Sequence, residues 1–202
     1  MPVLALGITF DTEERRGFNV FHVKSRANQQ RGFSLVELMV VVALIAIIGA
    51  IAAPSFRQLI LRSRLTGAGN EMVGLLQTAR MSAVSQRAIV TVCPSNAGSA
   101  CGGLGSRWIA AASKNGVVTV LKETTLATGV NVRGSTNLTG AANSFTFNPS
   151  GFSSVGANIT GTMSVCIPTI TGSNTIDVTS SVGRISSARR NGTANCTAPA
   201  DN

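Results

Sequence analysis

One apolar run constrains this chain more than any other feature. The 21 residues from Phe33 to Ala53 contain a single charged side chain, that of Glu37. At about 1.5 Å of rise per residue, a helix of this length measures about 30 Å, which is enough to cross the core of a bilayer. A carboxylate near one end of such a span costs roughly 2–3 kcal/mol. Glu37 is therefore either tolerated near the membrane interface or paired with a partner and functional.

The apolar run divides the chain into segments of different character. Residues 1–32 are polar, and basic in their second half, which is typical of a targeting leader. Residues 33–54 form a predicted transmembrane helix. Residues 55–88 continue it as an amphipathic helix, because apolar side chains recur at spacings of 3, 4 and 7. The members of this apolar stripe are Leu61, Leu65, Met72, Leu75, Leu76, Ala79 and Ala83.

Residues 89–202 change to a strand-like pattern and are rich in Gly, Ser, Thr and Asn, which is typical of an exported, turn-rich β domain. Runs of β-branched and aromatic residues predict strands over 89–93, 108–111, 117–121, 130–133, 144–147, 163–167, 175–179 and 183–186. Asn115-Gly116 is the strongest hairpin signal. Short strands after one helix predict an α+β fold, with a long N-terminal helix, transmembrane in its first half, packed on an antiparallel β-sheet domain.

Composition and motifs argue against catalysis. The sequence has no zinc signature, Ser-His-acid set, phosphate-binding loop or dinucleotide fingerprint, and its one histidine, His22, lies in the leader. We therefore expect a protein that is not an enzyme and has no cofactor and no metal. The formal net charge of +9 is compatible with nucleic acid, anionic lipid or an acidic partner, and equally with plain solubility.

Four cysteines, Cys93, Cys101, Cys166 and Cys196, all follow the apolar run. An even number in an exported domain indicates disulfides, and four cysteines allow three connectivities. We favour the local pairing of Cys93 with Cys101, which closes a Gly/Ser loop. The complementary pairing of Cys166 with Cys196 would join the C-terminal tail to a predicted strand, and closing a loop of about thirty residues contributes roughly 3–4 kcal/mol.

The string Gly-Phe-Ser-Leu-Val-Glu-Leu at 32–38 resembles the class III signal of type IV pilins and type II secretion pseudopilins. In that family a membrane peptidase cuts after the Gly, the new terminal Phe is N-methylated, and the Glu pairs with the terminal amine of a neighbouring subunit. The resemblance implies cleavage between Gly32 and Phe33, methylation of Phe33, an assembly role for Glu37 and a helix kink at Pro54. It also implies prepilin peptidase, the inner membrane and other pilins as partners, with the β domain in the periplasm and the subunit in a pilus or pseudopilus after assembly.

A second resemblance lies further along the chain. Thr-Ala-Arg-Met-Ser-Ala-Val at 78–84, a strand ending in Val-Cys-Pro-Ser at 92–95, and a second Cys before a Trp-containing strand are similar to the minor pilin group that includes FimT, FimU and the pseudopilin GspH. Many FimT-like members carry a Gly-Arg-x-Arg motif implicated in binding DNA. Here Gly183-Arg184-Ile185-Ser186 keeps only its first half, and two further arginines follow at 189 and 190.

We expect Arg184, Arg189 and Arg190 to form a compact basic loop in which the guanidiniums reach DNA phosphates without sequence specificity. The alternative is a solvated charged edge or a contact to another pilin. Three functions stay open: a minor type IV pilin that contacts DNA, a minor pseudopilin of a type II secretion system, and a DNA receptor for natural transformation. The arginines favour the DNA receptor over the pseudopilin. The incomplete motif favours the minor pilin and the pseudopilin over the DNA receptor.

Overall fold

The computed structural model of the protein describes residues 32–103 and 105–201. The leader predicted over residues 1–32 therefore lies outside the described residues, except for Gly32. The chain divides into two compact units, of which the first ends at Ala43 and the second begins at Leu44. The described residues of the first unit contain the beginning of the long helix, and the second unit contains the β domain.

The long helix α1 spans Leu35–Gln86. Ser34 caps its start, since the Ser34 Oγ accepts a hydrogen bond of 3.3 Å from the Val36 N–H. The helix continues through Pro54, although this residue has no N–H to donate to the preceding turn. The kink expected at Pro54 stays a prediction.

The helix ends two residues before the predicted boundary at residue 88. Arg87 adopts a left-handed conformation with φ of 50°, which an α-helix cannot continue through. The Ala88 N–H then bonds the Ala83 carbonyl at 3.2 Å. Lys114 Nζ donates to the Gln86 carbonyl at 3.2 Å, so a cation lies at the negative end of the helix dipole.

The described residues of the β domain form nine strands and one short helix. In chain order these are β1 (Ile89–Pro94), β2 (Arg107–Lys114), β3 (Val117–Thr125), β4 (Asn131–Gly134), helix α2 (Thr136–Gly140), β5 (Phe145–Phe147), β6 (Ser153–Ser154), β7 (Thr160–Cys166), β8 (Thr175–Ser181) and β9 (Arg184–Arg190). Sheet 1 has the order β3-β2-β1-β5-β6, and sheet 2 has the order β4-β7-β8-β9. Their strands pair antiparallel. The predicted α+β class is therefore confirmed.

The hairpin between β2 and β3 turns at Asn115 and Gly116, as the sequence predicts. Their φ values of 52° and 80° are both positive, which is the requirement of a type I′ turn. Lys114 pairs with Val117 directly across this turn. The Asn-Gly pair therefore fixes the register of the longest hairpin in sheet 1.

The hydrophobic core lies between α1 and the two sheets. The α1 residues buried there are Leu65, Ala68, Gly69, Met72, Leu75, Leu76, Ala79 and Ala83, which include the predicted stripe except the partly buried Leu61. One cluster joins them to Val92 and Phe145 of sheet 1 and to Val165 and Val178 of sheet 2. Gly69 allows α1 to approach β8 closely, because a Cβ at this position would lie 3.0 Å from Ile176 Cδ1.

Candidate assembly site

The proposed cleavage point is an accessible peptide bond before the helix. Residues 32–34 have no regular secondary structure. Phe33 is 77% exposed, and a Cβ added to Gly32 would meet no atom within 4 Å. The bond that joins Gly32 to Phe33 therefore lies in an open segment, and a cut there leaves Phe33 two residues before the first residue of α1.

Glu37 lies in the first turn of α1 and is exposed. A carboxylate in the first turn interacts favourably with the helix dipole. Within residues 32–103 and 105–201, its side chain has no ion pair or hydrogen bond.

The first part of α1 exposes a continuous apolar surface. Its most apolar 18-residue window has a mean hydropathy of 2.9, and none of that window is buried. Among the described helices, α1 is the one long and apolar enough to cross a membrane. Such a surface has two stable environments, a bilayer core or the apolar helices of neighbouring subunits.

The C-terminal arginines do not form the compact loop that the sequence suggests. They lie on β9, an extended edge strand of sheet 2, with Arg184 and Arg190 at its two ends. The segment Ser187-Ala188-Arg189-Arg190 has no strand-like apolar pattern, so its sequence alone does not indicate a strand. The backbone ladder with β8, in which Val178 faces Ser187 and Thr175 faces Arg190, extends this segment.

Arg190 is part of a structural network rather than a free cation. Its Nε donates to Asp177 Oδ2 at 2.7 Å and its Nη2 to Asp177 Oδ1 at 3.1 Å, which is a bidentate ion pair. Nη2 also donates to Ser164 Oγ at 3.2 Å and to the Thr197 carbonyl at 3.0 Å. The hydrogen bond to Asp177 raises the pKa of Arg190 above its ordinary value, although partial burial acts in the opposite direction. Arg190 thus joins β7, β8, β9 and the C-terminal tail.

Replacing Arg190 with glutamine should destabilise the β domain by about 2 kcal/mol, because Asp177 would keep its charge and lose its cation. The effect stays below that of a fully buried pair, since the Arg190 side chain is 30% exposed. Urea unfolding of the full-length protein in detergent, followed by circular dichroism, measures the change. Arg64→Gln removes the same charge from an exposed position on α1 and is expected to change stability by less than about 0.5 kcal/mol. Equal effects of the two substitutions would contradict a structural role for Arg190.

The other two arginines are more accessible. Arg189 Nη2 donates to Thr66 Oγ1 of α1 at 2.6 Å, and its side chain is otherwise exposed. Arg184 is exposed and has no bonded partner among the described residues. These two guanidiniums, and not Arg190, are available to an external anion.

Two disulfides close loops in the β domain. Cys93 is bonded to Cys101 and Cys166 to Cys196, the two pairings favoured from the sequence. The second bridge joins the end of β7 to the C-terminal tail. No cysteine in the described ranges is free, and the described residues contain no group of three or more His, Cys, Asp or Glu side chains that could hold a metal.

Sequence reasoning missed two partners of the C-terminal arginines, Asp177 and Thr66. The sequence does indicate Asp177 as a candidate partner, because it is the one acidic residue between Glu123 and Asp201 and lies within a β-branched run. It gives no such indication for Thr66, since the contact of Thr66 with Arg189 spans 123 positions of the chain.

Two protein-family models match the chain. The prokaryotic N-terminal methylation motif matches residues 27–53, which confirms the resemblance stated for residues 32–38. The model described as Type II transport protein GspH matches residues 68–183. The first match covers the exposed start of α1, and the second covers the packed end of α1 and most of the β domain.

Curated relatives are fimbrial proteins. Fimbrial protein EcpC of Eikenella corrodens is 36% identical over 106 residues, which cover 50% of this chain and 69% of the relative. A fimbrial protein of Pseudomonas aeruginosa is 47% identical over 55 residues, 27% of this chain and 35% of the relative. The chain thus spans about a third of the length of the first curated relatives it matches. The crystal structure of the type IV minor pilin FimU of Pseudomonas aeruginosa aligns with a TM-score of 0.47 and 21% identity, over 69% of this chain and 96% of that one.

The chain is a structural subunit of the type IV pilin and pseudopilin class. The features that define it are the methylation motif, the apolar start of α1 and the disulfide-bonded β domain that follows α1 in the sequence. These features fit single-pass membrane anchoring. The GspH model matches more than half of this chain, and the chain therefore belongs to the GspH family.

Proposed function

We propose that this protein is a minor type IV pilin of the FimT and FimU kind. In this proposal prepilin peptidase cuts between Gly32 and Phe33, Phe33 is N-methylated, and residues 33–54 anchor the chain in the inner membrane. Residues 55–88 pack on the β domain, and residues 89–202 face the periplasm. The observation that carries the proposal is the unpartnered Glu37 in an exposed apolar helix, four positions after an accessible Phe33.

The chemistry of assembly follows from charge and burial. In a low-dielectric environment an isolated carboxylate is costly, and an amine that reaches it offsets much of that cost. Cleavage creates such an amine at Phe33. In a bundle of α1 helices, the Phe33 amine of one subunit then pairs with Glu37 of its neighbour, and the exposed apolar side chains pack against one another.

Mass spectrometry of the protein recovered from membranes tests the proposal. We expect an N-terminus at Phe33 that carries one added methyl group. A Gly32→Leu variant should keep its leader, because a bulky side chain then precedes the scissile bond. A mature wild-type chain that begins upstream of residue 33 would contradict the proposed processing.

A second candidate is a minor pseudopilin of a type II secretion system, which the description of the matching family favours. The fimbrial relatives favour the pilus instead. A deletion strain distinguishes the two when pili, twitching motility, secretion and transformation are scored together. Loss of pili with normal secretion supports the minor pilin, and the reverse pattern supports the pseudopilin.

The proposed contact with DNA, which a receptor for natural transformation would also need, falls on Arg184 and Arg189. Arg190 is bound to Asp177 and contributes little to it. No aromatic side chain lies on β9 to stack on bases, so the contact is to the phosphate backbone. Neutralising about two phosphates predicts that the logarithm of the binding constant falls with the logarithm of the salt concentration with a slope near −2. The dissociation constant should be roughly micromolar or weaker.

The double substitution of Arg184 and Arg189 to glutamine should abolish the salt-dependent part of DNA binding in a mobility-shift assay with the full-length protein. The matched control replaces Arg64 and Arg133, which are exposed on α1 and β4, and should leave binding almost unchanged. Equal losses in both variants would show a response to net charge alone. Unchanged binding by the variant of Arg184 and Arg189 would show that β9 does not contact DNA.

A further inference from the structure

Sheet 2 ends at β9, beside a flank of α1. Its last strand, β9, runs alongside the helix, as the bond from Arg189 to Thr66 and the packing of Ile185 against the core show. Next to β9 lies a groove of about 490 Å³. Its lining residues are Gln77, Arg80, Met81, Val84 and Ser85 of α1 and Ile185 of β9.

The groove is apolar where another strand would cover it. Met81 is 72% exposed and Val84 is 49% exposed, although both lie on a helix whose neighbouring turns are packed. An edge strand such as β9 also presents unpaired backbone N–H and C=O groups. An extended peptide satisfies both features at once, because its backbone pairs with the edge while alternate side chains enter the groove.

The charges around the groove have one sign. Arg80, an exposed residue, borders the groove and donates its Nε–H to the Gly151 carbonyl at 3.1 Å. Arg184 and Arg189 lie on β9 itself. Neither β9 nor the set of groove-lining residues includes a carboxylate. Charge complementarity therefore favours an acidic partner.

We infer that this groove and the free edge of β9 bind an extended segment of another pilin subunit, in which apolar and acidic side chains alternate. The segment becomes a fifth strand of sheet 2 and places its apolar side chains on Met81 and Val84. This inference rests on the proposed function, since it requires assembly with other pilins.

A second copy of this chain does not meet the requirement. Of the carboxylates after residue 32, Glu37 and Glu71 lie in α1 and are not on an extended strand. Each of the other three already has a partner within its own subunit, and these pairs are Glu123 with Arg107, Asp177 with Arg190, and Asp201 with the Asn137 N–H. The acidic strand therefore comes from a different subunit.

DNA is the competing ligand for the same arginines. Phosphates satisfy Arg184 and Arg189, but a contact to the DNA backbone leaves Met81 and Val84 in water. A peptide strand covers these apolar side chains as well as the charges. The observations therefore favour the peptide, and DNA is an outcome that the experiment must detect.

Photo-crosslinking in cells that express the full-length protein tests the inference. A benzoylphenylalanine at Met81, and separately at Gln77, should join to another pilin, and mass spectrometry should map the adduct to an acidic segment that is extended in that subunit. Arg184→Glu with Arg189→Glu should lower the yield about fivefold or more, because two exposed ion pairs become repulsive. The same reversal at Arg64 and Arg133 should leave the yield unchanged.

The outcomes separate this inference from the function on which it rests. A label at Val42, in the exposed apolar part of α1, reports assembly alone. Crosslinks to pilins from Val42 but from neither Met81 nor Gln77 overturn the inference and leave the proposed function standing. An adduct with DNA, a helix or a second copy at position 81 also overturns the inference. Absence of pilin crosslinks from all three positions contradicts both.

Discussion

Glu37→Gln is expected to leave the protein in the membrane and to remove it from filaments. A neutral amide costs no more than a carboxylate in the bilayer, so membrane anchoring should not weaken. Assembly instead loses a pair between the Glu37 carboxylate and an amine in an apolar environment. Breaking such a pair costs about 3–5 kcal/mol, and we therefore expect incorporation to fall at least about a hundredfold. Immunoblots of sheared filaments and of membranes from the same cells measure the two quantities.

The matched control for this substitution is Glu71→Gln on the same helix. Glu71 is exposed and lies beyond the apolar part of α1, so we expect its charge to stay solvated on assembly. Filament incorporation of this variant should match that of the wild type. Normal incorporation of Glu37→Gln would refute the pairing role, and equal loss in both variants would indicate a general effect of helix charge.

Removing the bridge between Cys166 and Cys196 should destabilise the β domain by roughly 3–4 kcal/mol, the largest stability effect expected outside the core. The bridge closes a loop with a sequence separation of 30, and without it the unfolded chain regains the corresponding freedom. The double alanine variant should therefore unfold at a clearly lower urea concentration. Circular dichroism of the full-length protein in detergent gives the midpoint.

Removal of the bridge between Cys93 and Cys101 is the internal comparison. Its sequence separation is only 8, so the same entropy relation predicts a smaller loss of about 2.5 kcal/mol. A larger loss from the short loop than from the long one would contradict this ordering. Non-reducing mass spectrometry of the wild-type protein checks the connectivity on which both variants depend.

The fold was largely predictable because its elements have strong local signals. The apolar spacing of residues 61–83 places the buried face of α1, and β-branched runs place the main strands. Two elements were not predicted from the sequence. Strand β6 has only two residues and helix α2 has five, so neither is long enough to show a periodic apolar pattern. The division into two sheets was also not predictable, because it depends on long-range pairings such as β1 with β5 and β4 with β7.

The sites divide in the same way. The residues from Gly32 to Glu37 form one contiguous motif, which a sequence reveals directly, although their roles stay predictions. The ion pair of Arg190 with Asp177 depends on strand register, because Asp177 faces Ala188 and Arg190 reaches it diagonally. A groove bounded by a helix flank and a strand edge has no local sequence pattern at all.

Two side chains of α1 attach the helix to the loop after β7. Gln58 donates to the Thr169 carbonyl at 3.1 Å, and Arg62 donates to the Thr171 carbonyl at 3.2 Å. In the proposed filament, tension along α1 would pass through these two hydrogen bonds to Thr169 and Thr171, which lie inside the loop that the bridge between Cys166 and Cys196 closes. The disulfide would then limit how far this part of the β domain can extend under load.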